Sequence, residues 1–350
     1  MADSWGWRWE FGVQVPFLFI LTIVAMFALP ADLGLYGREP ESIWTVLKTF
    51  DIKGSILLTI AIIFLILGLS LGGNVLPWSH PFIISSIVIA ALSFPIFLHI
   101  ETKAQRPVMP PHLIGKSPHG NLILSNFLGC IMQFAIFFNV PLFFQGVLLS
   151  SATNSGLRLA LPSGFASLVG AATGFLITYT KRLKWPLVLG AVMYLFGTIV
   201  LATMRPGWPE WLYLLCLLPT SAGQGFQAPG TFIAVLAASE QQAQAVTTST
   251  LLLWRSIGLI IGVASSSLVV QNALVWYLEA YVDGPEKETV IRQVRKSVEA
   301  IRSLSPEYQT QVIRSYEAAL RLTFICLVAL AVITVLLILP VRLPRLGTRK

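Results

Sequence analysis

Nine stretches of the chain, at 11–29, 54–72, 81–100, 121–143, 157–179, 186–204, 211–237, 246–270 and 320–339, are runs of almost unbroken apolar side chains. Each is long enough to cross the roughly 30 Å hydrocarbon core of a bilayer as a helix, which takes about 20 residues. No other feature limits the fold so strongly. In lipid every backbone N–H and C=O must be satisfied internally, so only helices and closed barrels can span. A barrel strand alternates apolar and polar residues, whereas these runs are solid. The predicted class is therefore an all-α polytopic membrane protein with about nine transmembrane helices. Composition agrees: 11% of residues are charged and 55% hydrophobic, against about 25% charged in soluble domains.

The charge pattern orients the spans. If the first runs from outside to inside, the inner segments 30–53, 101–120, 180–185, 238–245 and the C-terminal tail hold thirteen Lys and Arg, while the short outer segments hold three, Arg8, Arg158 and Arg205. Positive charge gathers on the cytoplasmic side, which predicts a cytoplasmic C-terminus. The same bias accounts for the net charge of +8 without nucleic acid, for which no basic stripe or recognition module is present. Cys130, Cys216 and Cys326 each fall within an apolar run and read as small hydrophobes. The first ten residues lack the basic region and cleavage site of a signal peptide. A long outer loop, 271–319, places Val290, Val294, Val298 and Ile301 on one face of an amphipathic helix over 286–304. Such a helix lies at the interface, caps the bundle or is a solvated linker.

Several motifs, in order along nearly the whole chain, carry a resemblance. Gly6-Trp7-Arg8-Trp9-Glu10-Phe11 opens the first span, and Phe50-Asp51-Ile52-Lys53-Gly54-Ser55 opens the second. Gly72-Gly73-Asn74 with Pro77-Trp78 forms the turn that follows, and Pro107-Val108-Met109-Pro110 lies in the next inner loop. Pro141-Leu142-Phe143-Phe144-Gln145, Ser151 to Gly156, Gly223-Gln224-Gly225 and Arg255-Ser256-Ile257-Gly258 complete the series. Together they resemble the fourteen-span drug:proton antiporter branch of the major facilitator superfamily, including fungal vacuolar basic amino acid transporters and multidrug exporters. The resemblance implies that 1–30 matches the family's sixth span, 31–120 its two linker spans and inner loop, 121–342 its C-terminal six-helix half and 343–350 a cytoplasmic tail. The family's first five spans, and with them its proton-coupling groups, have no counterpart here, so the expectation is a truncated member.

The residues themselves offer a limited chemistry. All sixteen acidic residues lie outside the span cores and no His is mid-span, so no proton-relay carboxylate stands out. The mid-span polar groups are mostly amides and hydroxyls. Asn126, Cys130 and Gln133 share one helical face, as do Thr220, Gln224 and Gln227. Amides at this depth need a partner helix or a wet cavity, so these residues line a substrate cavity or act as glue between helices. Arg255 is the one charge well inside a span. It either snorkels to the inner surface or faces the cavity, where it would hold an anion or pair with a carboxylate. Gly170 with Gly174, and Gly258 with Gly262, have the spacing of close helix packing. Gly223, Gly225 and Pro229 interrupt the seventh span, and Pro229 predicts a kink. No metal-ligand cluster, Ser-His-Asp set or P-loop occurs, so no catalytic residue, metal or cofactor is expected.

The sequence thus predicts transmembrane transport of a small molecule, a drug or a basic amino acid, at the plasma or vacuolar membrane. The partners are the lipid bilayer, the substrate and protons carried through an absent N-terminal half. The other reading is a non-transporting membrane fragment or subunit that needs such a half.

Overall fold

A computed structural model describes residues 7–29, 51–73, 75–104 and 107–345. Expectations that fall elsewhere, including those on Arg38, Lys48, Asn74, Arg106 and most of the tail, lie outside the described residues. Among the described residues there are twelve α-helices and no β-strand: α1 (Trp7–Ala28), α2 (Ile52–Leu71), α3 (Pro81–Glu101), α4 (Pro111–Ile114), α5 (His119–Gly146), α6 (Ala152–Leu157), α7 (Ala160–Thr180), α8 (Lys184–Ala202), α9 (Glu210–Ala238), α10 (Gln244–Tyr281), α11 (Lys287–Lys296) and α12 (Pro306–Ile338).

Eight candidate spans are both long and apolar enough to cross a membrane, with α6 and α7 counted as one. The ninth expected span is α9. Its 29 residues reach about 43 Å at 1.5 Å per residue, and it runs unbroken through Pro219 and Pro229. It falls short of the apolarity of the other spans because Thr220, Ser221, Gln224, Gln227 and Thr231 interrupt it. Most of these face neighbouring helices, since Thr220, Ser221, Gln227 and Thr231 are buried.

The helices pack as a bundle of α5, α7, α8, α9, α10 and α12, with the α2–α3 hairpin laid against α10 through α2. Buried Phe143, Phe144, Tyr213, Tyr316 and Phe324 form the main core towards the outer end. The inner ends are tied by Asn121 Nδ2, which donates to Leu337 O at 2.9 Å, and by Lys184 Nζ, which donates to Leu339 O at 2.7 Å. α1 stands apart: none of its spanning window is buried, and Phe17, Phe19 and Phe27 are exposed. An apolar helix without a buried face requires lipid or another protein around it.

The outer loop is shorter than the sequence predicted. α10 continues to Tyr281 and α12 begins at Pro306. Both helices keep packing beyond the apolar runs that predicted them, with Leu274, Leu278, Val312 and Tyr316 buried at their extensions. Between them, α11 turns Val290 and Val294 into the core, and the following 3-10 turn adds Ile301, while the more open Val298 packs beside them. The amphipathic segment is a cap on the bundle. Arg158, near the outer end, pairs with Glu210 at 2.8 Å and sits over the Phe144 ring.

At the inner end of the hairpin, Asp51 caps α2 by accepting from Gly54 N at 2.9 Å. Its carboxyl faces that of Glu101 across the hydrogen face of Gly54. Glu101 is only 2% exposed and accepts from Val108 N at 3.2 Å and Met109 N at 3.0 Å. It thereby fixes the return of the chain after α3. Removing such an acceptor leaves two donors unmet, at a cost of about 2 kcal/mol. Glu101→Ala should speed amide hydrogen exchange at Val108 and Met109 roughly 30-fold, with little change in the core of α5. Unchanged protection at those two amides would show that other contacts hold the loop.

Candidate functional site

Helix geometry decides which way each mid-membrane polar group points. On α10 three stripes diverge. Leu252, Ser256 and Leu259 are exposed. Trp254, Ile257 and Ile261 face the α2–α3 hairpin. Gly258 and Gly262 face α5, where an added Cβ would meet Phe127 O at 2.8 Å and Ile131 O at 2.6 Å. Arg255 lies between two of these stripes: it precedes Gly258 by three and Gly262 by seven, follows Leu252 by three and precedes Leu259 by four, and it is half-buried. Its guanidinium is close enough to Cys130 on α5 and Tyr194 on α8 to act on both electrostatically. Among the described residues no carboxylate lies within ion-pair distance of it.

Tyr194 leads to a crevice between α5, α7, α8 and α9. Gln133, Phe137, Pro162, Tyr194, Thr220 and Gln224 line it. Gln133, Tyr194, Thr220 and Gln224 lie eight or more residues from the nearer end of their helices, or about 12 Å in depth. The enclosed space is only about 20 Å³, enough for roughly one water. A groove this narrow, with Ile136, Phe137, Leu159, Pro162 and Leu217 set among its polar groups, is not a chamber that could enclose a drug or an amino acid.

The remaining expected residues are placed differently. Gln227 is buried and donates to Ser125 O at 2.8 Å, tying α9 to α5. Its amide occupies the space left by Gly129, where a Cβ would come within 2.2 Å of Oε1. Asn126 is buried, and its Oδ1 finds no donor among the described residues. Gly223 and Gly225 admit close approach, with an added Cβ 2.9 Å from the Tyr194 ring and 2.6 Å from Ala166 O. Gly170 makes one ordinary contact, and nothing lies within 4 Å of an added Cβ at Gly174. The spacing of Gly170 and Gly174 therefore does not create a tight seam, because α7 turns Gly174 towards open space. Tyr194 and Ser221 join the crevice although neither stood out among the residues of its span. The one usable signal was that Tyr194 is the only ring hydroxyl in its apolar run.

No protein-family profile matches the chain, but curated relatives do. The chain is 32% identical to vacuolar basic amino acid transporter 2 of Saccharomyces cerevisiae, over 91% of this chain and 69% of that protein. It is 29% identical to the multidrug resistance protein fnx1 of Schizosaccharomyces pombe, over 93% of this chain and 61% of the relative. An uncharacterized MFS-type transporter of Mycobacterium tuberculosis is 27% identical over 98% of this chain and 48% of its own length. The chain thus spans from about half to about two thirds of the length of these relatives.

Proposed function

Because the chain belongs to the major facilitator superfamily, in its drug-transporter-like part, we propose that it forms one wall of a transporter that carries a drug or a basic amino acid across a membrane, coupled to protons. The observation that carries this reading is the mid-membrane crevice where Gln133, Tyr194, Thr220 and Gln224 interrupt an otherwise apolar lining, with the charge of Arg255, which has no ion-pair partner among the described residues, acting on Tyr194. Polar groups at that depth are costly unless they serve a cavity or a partner. Facilitator folds bind substrate between two six-helix halves that rock against each other. Residues 121–342 make one half, and a second bundle would close the site and supply the proton-carrying groups. The membrane is vacuolar, as the yeast relative's name favours, or plasma, with the C-terminus on the cytoplasmic side.

A second reading is favoured by the unburied α1: a subunit that transports nothing alone and completes its fold on a partner. The test uses the product isolated from its own membrane, detected with an antibody against 282–305 and reconstituted into liposomes. Transmembrane pH gradients should drive flux of arginine or ethidium, and a protonophore should collapse it. Absence of gradient-dependent flux for both would overturn the transport reading and leave the subunit.

A further inference from the structure

The cap of the bundle has a second face. Val290 and Val294 of α11 point into the core. Glu288, Ile291, Arg292, Arg295 and Lys296 form a different helical stripe and line an open cleft of about 830 Å³. Lys287, at the start of α11, lines it too, and its Nζ donates to Glu279 O at 2.7 Å. Glu279, near the end of α10, and Val75, in the turn of the α2–α3 hairpin, complete the lining. Lys287, Arg292, Arg295 and Lys296 thus face Glu279 and Glu288, four cations against two acids. Arg292 and Lys296, one turn apart and exposed, have no ion-pair partner among the described residues. Like charges at this spacing repel and weaken a helix. The helix dipole favours Arg295 and Lys296 in the last turn, but it does not account for Arg292 beside them.

The level of the cleft indicates which anion meets it. α2 has 20 residues and reaches about 30 Å, the thickness of the hydrocarbon core. With Asp51 at its inner end, Leu71 stands at the outer boundary, and the turn that holds Val75 and Trp78 stands among the lipid headgroups. Exposed Trp78 and Trp276 mark the same level, where indoles gather in membrane proteins. The cations that share a cleft with Val75 are therefore at the height of the lipid phosphates. Beside Trp78 runs a shallow groove of about 480 Å³, mostly apolar, lined also by Leu268, Val269, Asn272, Trp276 and Leu322. Glu279 follows Asn272 by seven residues and Leu268 by eleven, so groove and cleft follow one stripe of α10. We infer that the cleft binds the headgroup of an anionic phospholipid, its phosphate against Arg292 and Lys296 and its acyl chains along the groove. Charge selects the headgroup, and the groove selects a lipid over a soluble anion. The site is separate from the polar crevice and does not depend on the transport reading.

The full chain in detergent is titrated with phosphatidylglycerol and, separately, with phosphatidylcholine, and bound lipid is counted by native mass spectrometry. Phosphatidylglycerol should bind the more tightly. A cation near an anionic lipid surface contributes roughly five-fold in affinity, so Arg292→Gln with Lys296→Gln should weaken phosphatidylglycerol roughly 25-fold. Phosphatidylcholine should be nearly unaffected. Both substitutions are at exposed positions and leave Val290 and Val294 in the core, so the cap keeps its fold. Arg205→Gln removes an exposed cation outside the cleft and should change neither affinity. Inorganic phosphate in large excess should fail to displace the lipid, because it cannot use the groove. Equal affinity for the two lipids, or equal losses in the double variant and in Arg205→Gln, would overturn the proposal. Displacement by inorganic phosphate would overturn it in favour of a soluble anion.

Discussion

Gly262→Leu should prevent recovery of folded, monodisperse protein, and Gly262→Ala should lower the thermal midpoint in detergent by several degrees. The reason is the nature of the obstacle. A Cβ at Gly262 would stand 2.6 Å from Ile131 O, 2.9 Å from Ile131 Cα and 3.1 Å from its carbonyl carbon, and one at Gly258 would stand 2.8 Å from Phe127 O. All of these are main-chain atoms of α5, so no rotamer change relieves the clash. Overpacking costs about 1–3 kcal/mol where side chains can shift, and here the whole helix must move. Close approach through small residues is also what holds membrane helices together, because lipid gives no hydrophobic drive for their association. Gly174→Ala is the matched control. Nothing lies within 4 Å of its Cβ, and alanine favours the helix by about 1 kcal/mol, so the midpoint should hold or rise. Equal effects at 174 and 262 would refute the assignment of α5–α10 as the tight seam.

The contrast between those glycines shows what a sequence can reveal in a membrane protein. The spans themselves were legible, since apolar length is dictated by bilayer thickness: α2 at Ile52–Leu71 and α3 at Pro81–Glu101 fall within two residues of the runs that predicted them. Where a helix leaves the bilayer, that rule ends. The outer extensions of α10 and α12 are set by burial of Leu274, Leu278 and Tyr316 in tertiary contacts, and nothing in local apolarity marks them. The polar face of α9 was legible as a face. Thr220, Gln224 and Gln227 do share one side, yet the neighbour on that side changes with depth. At Gln227 the missing side chain of Gly129 lets α5 come close enough to bond, and nearer Thr220 and Gln224 the helices part into the crevice. Spacing gives azimuth, whereas the distance to the next helix depends on residues far away in the chain. The surroundings of Trp254 were unreadable for the same reason: it faces a hairpin some 160–196 residues earlier.

Arg255→Leu should raise stability and abolish transport, and the opposite signs are the point of the experiment. An unpaired guanidinium well inside a span costs about 3 kcal/mol on insertion scales. Arg255 has no ion-pair partner among the described residues and is half-buried at the edge between the exposed face of α10 and the Gly258–Gly262 face. Leucine at this position removes the cost, and the thermal midpoint in detergent should rise. The flux of arginine or ethidium into liposomes at a fixed pH gradient should fall at least ten-fold, because the fixed positive charge whose field reaches Tyr194 and Cys130 is gone. A protein that keeps a destabilising charge at a site shows the usual trade of stability for function. Arg255→Lys tests what the charge does there. Lysine keeps the point charge but loses the planar fork that holds a carboxylate through two bonds. Partial flux with lysine would assign a field effect, and none would assign bidentate binding. If Arg255 only reached to the inner surface, leucine would alter neither reading. If instead it clamped a carboxylate of an opposing bundle, leucine would strand that acid and lower the midpoint. The sign of the stability change therefore separates a substrate-facing cation from a structural one, whatever the flux does.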